Sequence, residues 1–188
     1  MKVGPLIIVS GPAGAGKTTL IRRALAEFGP RLRHAVSATT RAPRPHEVDG
    51  VHYHFWDRAR FEAGIAAGEF LEYATVHGKH YYGTPASEVG RYREAGFGVI
   101  LDIDVQGAEQ LRHLCPDAFM IFLETPPGAF EDRLRARGTE TEAEIQRRLE
   151  TARLELARKH EFDMVLLNDD LDRAGAEMCA VIWGLFDR

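Results

Sequence analysis

Apolar positions along this chain come in two rhythms. Short unbroken runs, at Leu6-Ile7-Ile8-Val9, Val99-Ile100-Leu101-Asp102-Ile103, Phe119-Met120-Ile121-Phe122-Leu123 and Met164-Val165-Leu166-Leu167, have the length of strands buried on both faces. Elsewhere apolar residues return every three or four positions, as in Leu20, Ile21, Ala24, Leu25 and Phe28, or Met178, Val181, Ile182, Leu185 and Phe186. That is the spacing of one helix face. Buried strands separated by helices predict an α/β fold, a parallel sheet with right-handed crossovers in a three-layer core.

Residues 35–84 break the alternation. Aromatic-rich extended pieces at 51–56 and 70–76, turn signals at Asp49-Gly50 and His77-Gly78, and a short helix over about 57–67 predict a small mixed β insertion. Residues 126–159 read as helical and rich in charge. There a capping-box pattern, Thr139/Glu142 or Thr141/Glu144, precedes an apolar stripe of Ile145, Leu149, Ala152 and Leu156. The chain thus divides into a core (1–34, 85–125 and 160–188), an insertion (35–84) and a helical region (126–159), in a single domain spanning about 3–186.

Charge narrows the classes of partner. The 188 residues carry 24 Lys and Arg against 28 Asp and Glu, a net −4, so the chain lacks the basic field that nucleic acid or an anionic membrane would require. No apolar run approaches the ~20 residues of a membrane span, and the first is too short for a signal-peptide core. Cys115 and Cys179 stand far apart, outside any CxxC pattern. These features predict a soluble cytoplasmic protein; a homo-oligomer is left open. The paired histidines His52/His54 and His77/His80 lack convergent Cys or acidic ligands and are not read as a metal site.

The strongest chemical signal is Gly11-Pro12-Ala13-Gly14-Ala15-Gly16-Lys17-Thr18, which matches G-x-x-x-x-G-K-[ST] between a buried strand and a helix. Backbone N–H groups freed by the glycines turn inward around a polyphosphate, and the helix N-terminus adds positive potential. Lys17 would reach the transferring end of the phosphate chain, and the Thr18 hydroxyl would coordinate Mg²⁺. No Asn-Lys-x-Asp guanine motif of the GTPase kind accompanies the loop. A second cluster suits an anionic acceptor. Arg41 and Arg44 stand three residues apart, stiffened by Pro43 and Pro45, and two guanidinium forks can grip a phosphate monoester.

Residues 11–18, 37–44 with Glu47-Val48-Asp49-Gly50, Phe70-Leu71-Glu72, Tyr81-Tyr82-Gly83-Thr84, 100–107, Arg137-Gly138-Thr139-Glu140-Thr141 and Leu167-Asn168-Asp169 together resemble the guanylate kinase family of P-loop nucleoside monophosphate kinases. The match covers nearly the whole chain in order. It departs at His46, where the family usually carries Gly. The resemblance implies a P-loop core, a GMP-binding insertion and an Arg-bearing lid, acting together in Mg²⁺-dependent transfer of the γ-phosphoryl group of ATP to GMP or dGMP. It puts the acceptor phosphate on Arg41, Arg44, Tyr53 and Tyr82, and guanine on Glu72, Ser37, Thr84 and Asp104. It makes Arg133, Arg137 and Arg148 the lid and donor-phosphate arginines. Asp102 resembles a Walker-B carboxylate beside the metal, and Asn168 falls near adenine. Arg135, Arg147, Arg153 and Arg158 are read as solvated charges.

Base chemistry supports Glu72 independently. Guanine offers two adjacent donors, N1–H and the 2-amino group, which one carboxylate accepts together, whereas adenine turns an acceptor toward it. Ser37 and Thr84 would donate to O6. The rival readings are a non-catalytic guanylate-kinase-like interaction module, disfavoured by the presence of Lys17, Thr18, Arg137 and Arg148, and another small-molecule P-loop kinase, disfavoured by Glu72.

Overall fold

The four apolar runs all become strands of one sheet. In chain order the first half of the core contributes β1 (Leu6–Ser10), α1 (Lys17–Phe28) and β2 (Leu32–His34). The insertion follows with β3 (Ala38–Thr39), β4 (His54–Phe55), α2 (Arg58–Ala66), β5 (Phe70–Val76) and β6 (His80–Pro85). The chain returns through α3 (Ser87–Glu94), β7 (Gly98–Asp102), α4 (Val105–Leu114) and β8 (Phe119–Glu124). Two helices, α5 (Ala129–Ala136) and α6 (Glu142–Ala157), precede β9 (Met164–Leu167) and α7 (Leu171–Phe186). This computed structural model describes residues 2–76, 78–126, 128–136 and 141–187, without the side chains of 133, 134, 136, 143 and 144.

The core sheet runs β2-β7-β1-β8-β9 with every pairing parallel. Period-2 alternation along β1 divides the core in two. Ile7 and Val9 pack against Leu20, Ile21 and Phe28 of α1 and Met178 and Ile182 of α7. Leu6 and Ile8 face Val89 of α3 and Ala108 and Leu111 of α4. Three layers result. β2 is the strand the apolar pattern does not announce. At the sheet edge only its Leu32 is buried, so its sequence carries no apolar run.

The second sheet, β4-β3-β6-β5, is mixed: β3 pairs parallel to β4 and antiparallel to β6. It has an aromatic core of its own. Phe61 of α2 is fully buried, stacked on Phe70 at 4.3 Å and on Tyr81 at 5.2 Å between ring centres. Asp57 caps α2 by accepting from the Arg60 amide at 2.7 Å. Of the extended piece expected at 51–56, only His54 and Phe55 pair as a strand. The chain before them turns, with His52 N–H bonded to the Val48 carbonyl and the Val48 N–H to His52 Nδ1, both at 3.0 Å.

α6 begins at Glu142, which puts Thr141 at its leading edge; Thr139 lies outside the described residues. Of the arginines expected as solvated charges, Arg135, Arg153 and Arg158 have acidic partners. Arg135 forks between Glu131 on its own helix and Glu142 on α6, at 2.8 and 2.6 Å, joining the two helices. Arg158 bonds Glu161 at 2.6 Å and Glu109 of α4 at 3.0 Å. Among the described residues no helix is long and apolar enough to cross a membrane, and both cysteine thiols are free.

Candidate active site

The phosphate loop joins β1 to α1 at the carboxyl edge of the core sheet, between neighbours β7 and β8. Gly11, Gly14 and Gly16 take φ of 135°, 99° and 93°, which L side chains rarely adopt. At Gly11 a Cβ would also come 2.4 Å from the Leu123 carbonyl oxygen. Ala15, in the middle, is fully buried. Lys17 does not project outward: its Nζ donates to the carbonyls of Gly11 at 2.6 Å and Pro12 at 3.3 Å, and lies 3.9 Å from Asp102. The ammonium is satisfied by the loop's own carbonyl oxygens. Burial pushes the Asp102 carboxyl above its ordinary range, opposed by Lys17, His34 and a hydrogen bond from Thr18.

Asn168 follows β9 and is 4% exposed. Its side-chain amide donates to the Ala15 carbonyl at 2.7 Å, and a Cβ at Gly16 would meet that same nitrogen at 2.3 Å. Asn168, expected near adenine, turns its amide N–H to the loop and braces the backbone of the phosphate cradle.

The base pocket lies where the insertion meets α4. Glu72 of β5 is 5% exposed and accepts from the Thr84 hydroxyl at 2.7 Å. Ser37 Oγ stands 3.3 Å from Thr84 Oγ1. Thr84's single proton is therefore spent on Glu72, and Ser37 is the hydroxyl left to donate to a base oxygen. Asp104 caps α4 by accepting from the Gly107 amide at 2.8 Å. Gly107 also makes room: a Cβ there would lie 2.6 Å from Glu72 Oε2. Gln110 of α4 ties the pocket to the core, exchanging hydrogen bonds with the Tyr73 backbone at 2.9 and 3.3 Å. Burial, first, and the nearby Asp104 charge raise the Glu72 carboxyl to about 7, against the hydrogen bonds from Thr84.

The acceptor cluster is organised by a residue whose role the motif did not disclose. Glu47 takes Arg41 in a two-pronged fork at 2.9 and 2.9 Å and accepts the Arg44 amide at 2.7 Å. Arg41 Nε donates to the Tyr82 hydroxyl at 3.1 Å, and its guanidinium lies over the Tyr53 ring at 5.6 Å. The Arg41 hydrogen bond holds Glu47 down to about 2. Burial lifts the Tyr53 hydroxyl to about 12, with the Asp102 charge contributing from across the cleft. Arg44 is exposed. Arg148 of α6 is half-buried; Arg137 and the side chain of Arg133 lie outside the described residues.

The guanylate kinase family model matches residues 4–185. The chain belongs to the guanylate kinase family. It is 51% identical over 185 residues to a guanylate kinase of Rubrobacter xylanophilus, covering 97% of this chain and 95% of that one. It is 46% identical over 184 residues to one of Mycobacterium bovis, covering 97% and 88%. A crystal structure of guanylate kinase from Anaplasma phagocytophilum superposes with a TM-score of 0.77 at 26% identity, over 98% of this chain and 87% of that one. Within this family frame, sequence reasoning gave no role to two residues beside the candidate site. Gly107 acts through a contact with Glu72, far away in sequence. Glu47 lay inside a quoted motif, and its one sequence signal was an acid shortly after two arginines.

Proposed function

We propose that this member of the guanylate kinase family transfers the γ-phosphoryl group of ATP to GMP and dGMP, with Glu72 selecting the base. The observation that carries the reading is a buried carboxylate, held by Thr84 and Gly107's missing side chain, on the insertion that faces the phosphate loop. Guanine's N1–H and 2-amino group satisfy both carboxylate oxygens, and Ser37 donates to O6. Adenine would leave a buried acceptor unpaired, a heavy penalty.

Arg41, Arg44, Tyr53 and Tyr82 receive the acceptor phosphate. Glu47 presents Arg41 in a fixed orientation, and the Tyr82 hydroxyl, which accepts from Arg41, keeps its proton for the phosphate. The loop amides cradle the donor, and Lys17 leaves the Gly11 carbonyl for the transferring phosphate. Thr18 and, through water, Asp102 would hold Mg²⁺. Two hard oxygen donors beside the loop, with Asp102 destabilised by burial, fit a small divalent cation. Bound there, Mg²⁺ supplies neutralising charge to the donor's terminal phosphates. The attacking oxygen belongs to a phosphate already anionic near neutral pH, so catalysis rests on alignment and charge, with no general base. Arg133, Arg137 and Arg148 bring further positive charge from the lid. Two free thiols agree with a cytoplasmic setting.

The test compares ADP release from ATP and Mg²⁺ with GMP, dGMP, AMP, CMP and UMP. Turnover with GMP and dGMP alone is expected, with weak ATP hydrolysis when no acceptor is present. Preference for AMP would show the base pocket misassigned. Glu72→Gln is expected to lower kcat/KM for GMP by about 10²-fold while ATP affinity holds.

A further inference from the structure

Glu72 is a carboxyl with little to keep it ionised. It is 5% exposed, and among the described residues its charge is favoured only by Thr84, through the hydroxyl at 2.7 Å and the backbone N–H. The Gly107 amide, on the residue that makes room for Glu72, is committed to Asp104 at 2.8 Å. The groups facing it from each packed element are neutral or negative. β6 supplies Thr84, the turn before β3 supplies Ser37, and α4 supplies Asp104 and Gln110. α6 adds Glu155, whose charge bears on Asp104. No cation among the described residues contributes to its ionisation. Burial and a like charge both favour a proton on such a group.

A proton on Glu72 changes the pocket from two acceptors to one acceptor and one donor. Guanine and xanthine share N1–H and the 6-oxo group; they differ at C2, where guanine has an amino donor and xanthine a carbonyl acceptor. From this arrangement we infer that the pocket has a second substrate: with Glu72 neutral it accepts a 2-oxo purine, xanthosine monophosphate, in place of the 2-amino one. The inference rests on the base-site reading given above. The carbonyl oxygen of neutral Glu72 accepts N1–H and keeps its bond from Thr84, and the carboxyl hydroxyl donates to O2. Ionised Glu72 sets acceptor against acceptor there and rejects the same base by about tenfold to hundredfold. The phosphate end is indifferent to the change. A bond forms between the γ-phosphorus of ATP and an oxygen of the xanthosine monophosphate, and the γ-phosphorus bond to the bridging oxygen breaks. ADP leaves with that electron pair, and no redox partner is needed.

The experiment measures kcat/KM for GMP and for xanthosine monophosphate with ATP and Mg²⁺, between about pH 6.5 and about pH 8.5. Ionisations common to both reactions cancel in the ratio of the two values. If one substrate needs Glu72 neutral and the other needs it charged, the ratio moves about tenfold per pH unit toward xanthosine monophosphate as pH falls. A ratio that stays flat while GMP turns over overturns the second substrate alone. Absence of GMP turnover near pH 8 overturns the base-site reading as well. Glu72→Gln fixes one acceptor and one donor permanently. It is expected to lose GMP, gain xanthosine monophosphate, and show a ratio independent of pH; a folded variant that uses neither base counts against the inference. Should the variant not fold, the wild-type ratio decides alone.

Discussion

The phosphate loop and the proposed base pocket are built by opposite means. The loop is eight consecutive residues, and its cradle is backbone: three glycines in left-handed conformations turn amides inward, and Asn168 holds the carbonyl side still. The pocket draws single groups from positions 37, 72, 84, 104 and 107, on four separate segments. A polyphosphate needs only inward N–H groups and positive charge, which one contiguous stretch can supply. A purine edge needs donors and acceptors in a set order, which side chains converging from apart must supply. The loop therefore depends on how its backbone is turned, whereas the pocket depends on where one proton sits.

Four experiments would break or sharpen that contrast. The largest effect is expected at Lys17. Lys17→Ala should cut kcat by about 10²–10³-fold at saturating ATP and GMP, with the circular dichroism spectrum unchanged; a loss below about tenfold would show that backbone alone suffices.

Next comes the proton on Glu72. Its carboxyl ionises at about 7 in the fold against an ordinary 4.5. Between those values the folded chain keeps a proton that the unfolded chain has released, so stability falls as pH rises through the window. The full contribution is about 3 kcal/mol. Urea unfolding of wild type and Glu72→Gln at matched pH should give a difference that changes across this range and levels off above it. A constant difference would mean that the pocket leaves the carboxyl at its ordinary value.

Thr84→Val removes the hydroxyl bonded to Glu72 and is expected to raise KM for GMP about tenfold with KM for ATP unmoved. Equal effects on both substrates would erase the division between loop and pocket. The smallest effect belongs to Glu47→Gln, which loosens the fork on Arg41. KM for GMP should rise about threefold, and the rise should shrink as salt is added, because the pair is partly solvated.

The same contrast governs what the sequence disclosed. β1, β7 and β8 were legible because strands buried on both faces are written as unbroken apolar runs. β9 was legible because its run is apolar too, although at the sheet edge only Leu166 is buried and Val165 and Leu167 stay exposed. β2, at the other edge, was not, because Arg33 and His34 follow its one buried residue, Leu32. Arg135 and Arg158 looked like surface charge, since their partners Glu142 and Glu109 lie on other helices. In the site, residues 11–18 could be read by themselves, whereas Glu72 between Leu71 and Tyr73 resembles any strand residue until Thr84 and Gly107 are set beside it. Spacing along one chain does not encode the absence of a side chain at 107 as a hole for Glu72.

α6 is fastened to the core at one end. α6 is 16 residues, about 24 Å at 1.5 Å per residue. Its carboxyl end is pinned to the core by Arg158 on Glu109 at 3.0 Å and, one residue on, by Lys159 on Glu124 at 2.9 Å. A rod fastened at one end works as a lever, and a tilt of about 10° at the pin carries the far tip about 4 Å. Arg148, near the middle, sweeps roughly half that arc. A slight rocking about that fulcrum would therefore carry Arg148 through ångströms while leaving the sheet beneath as it stands.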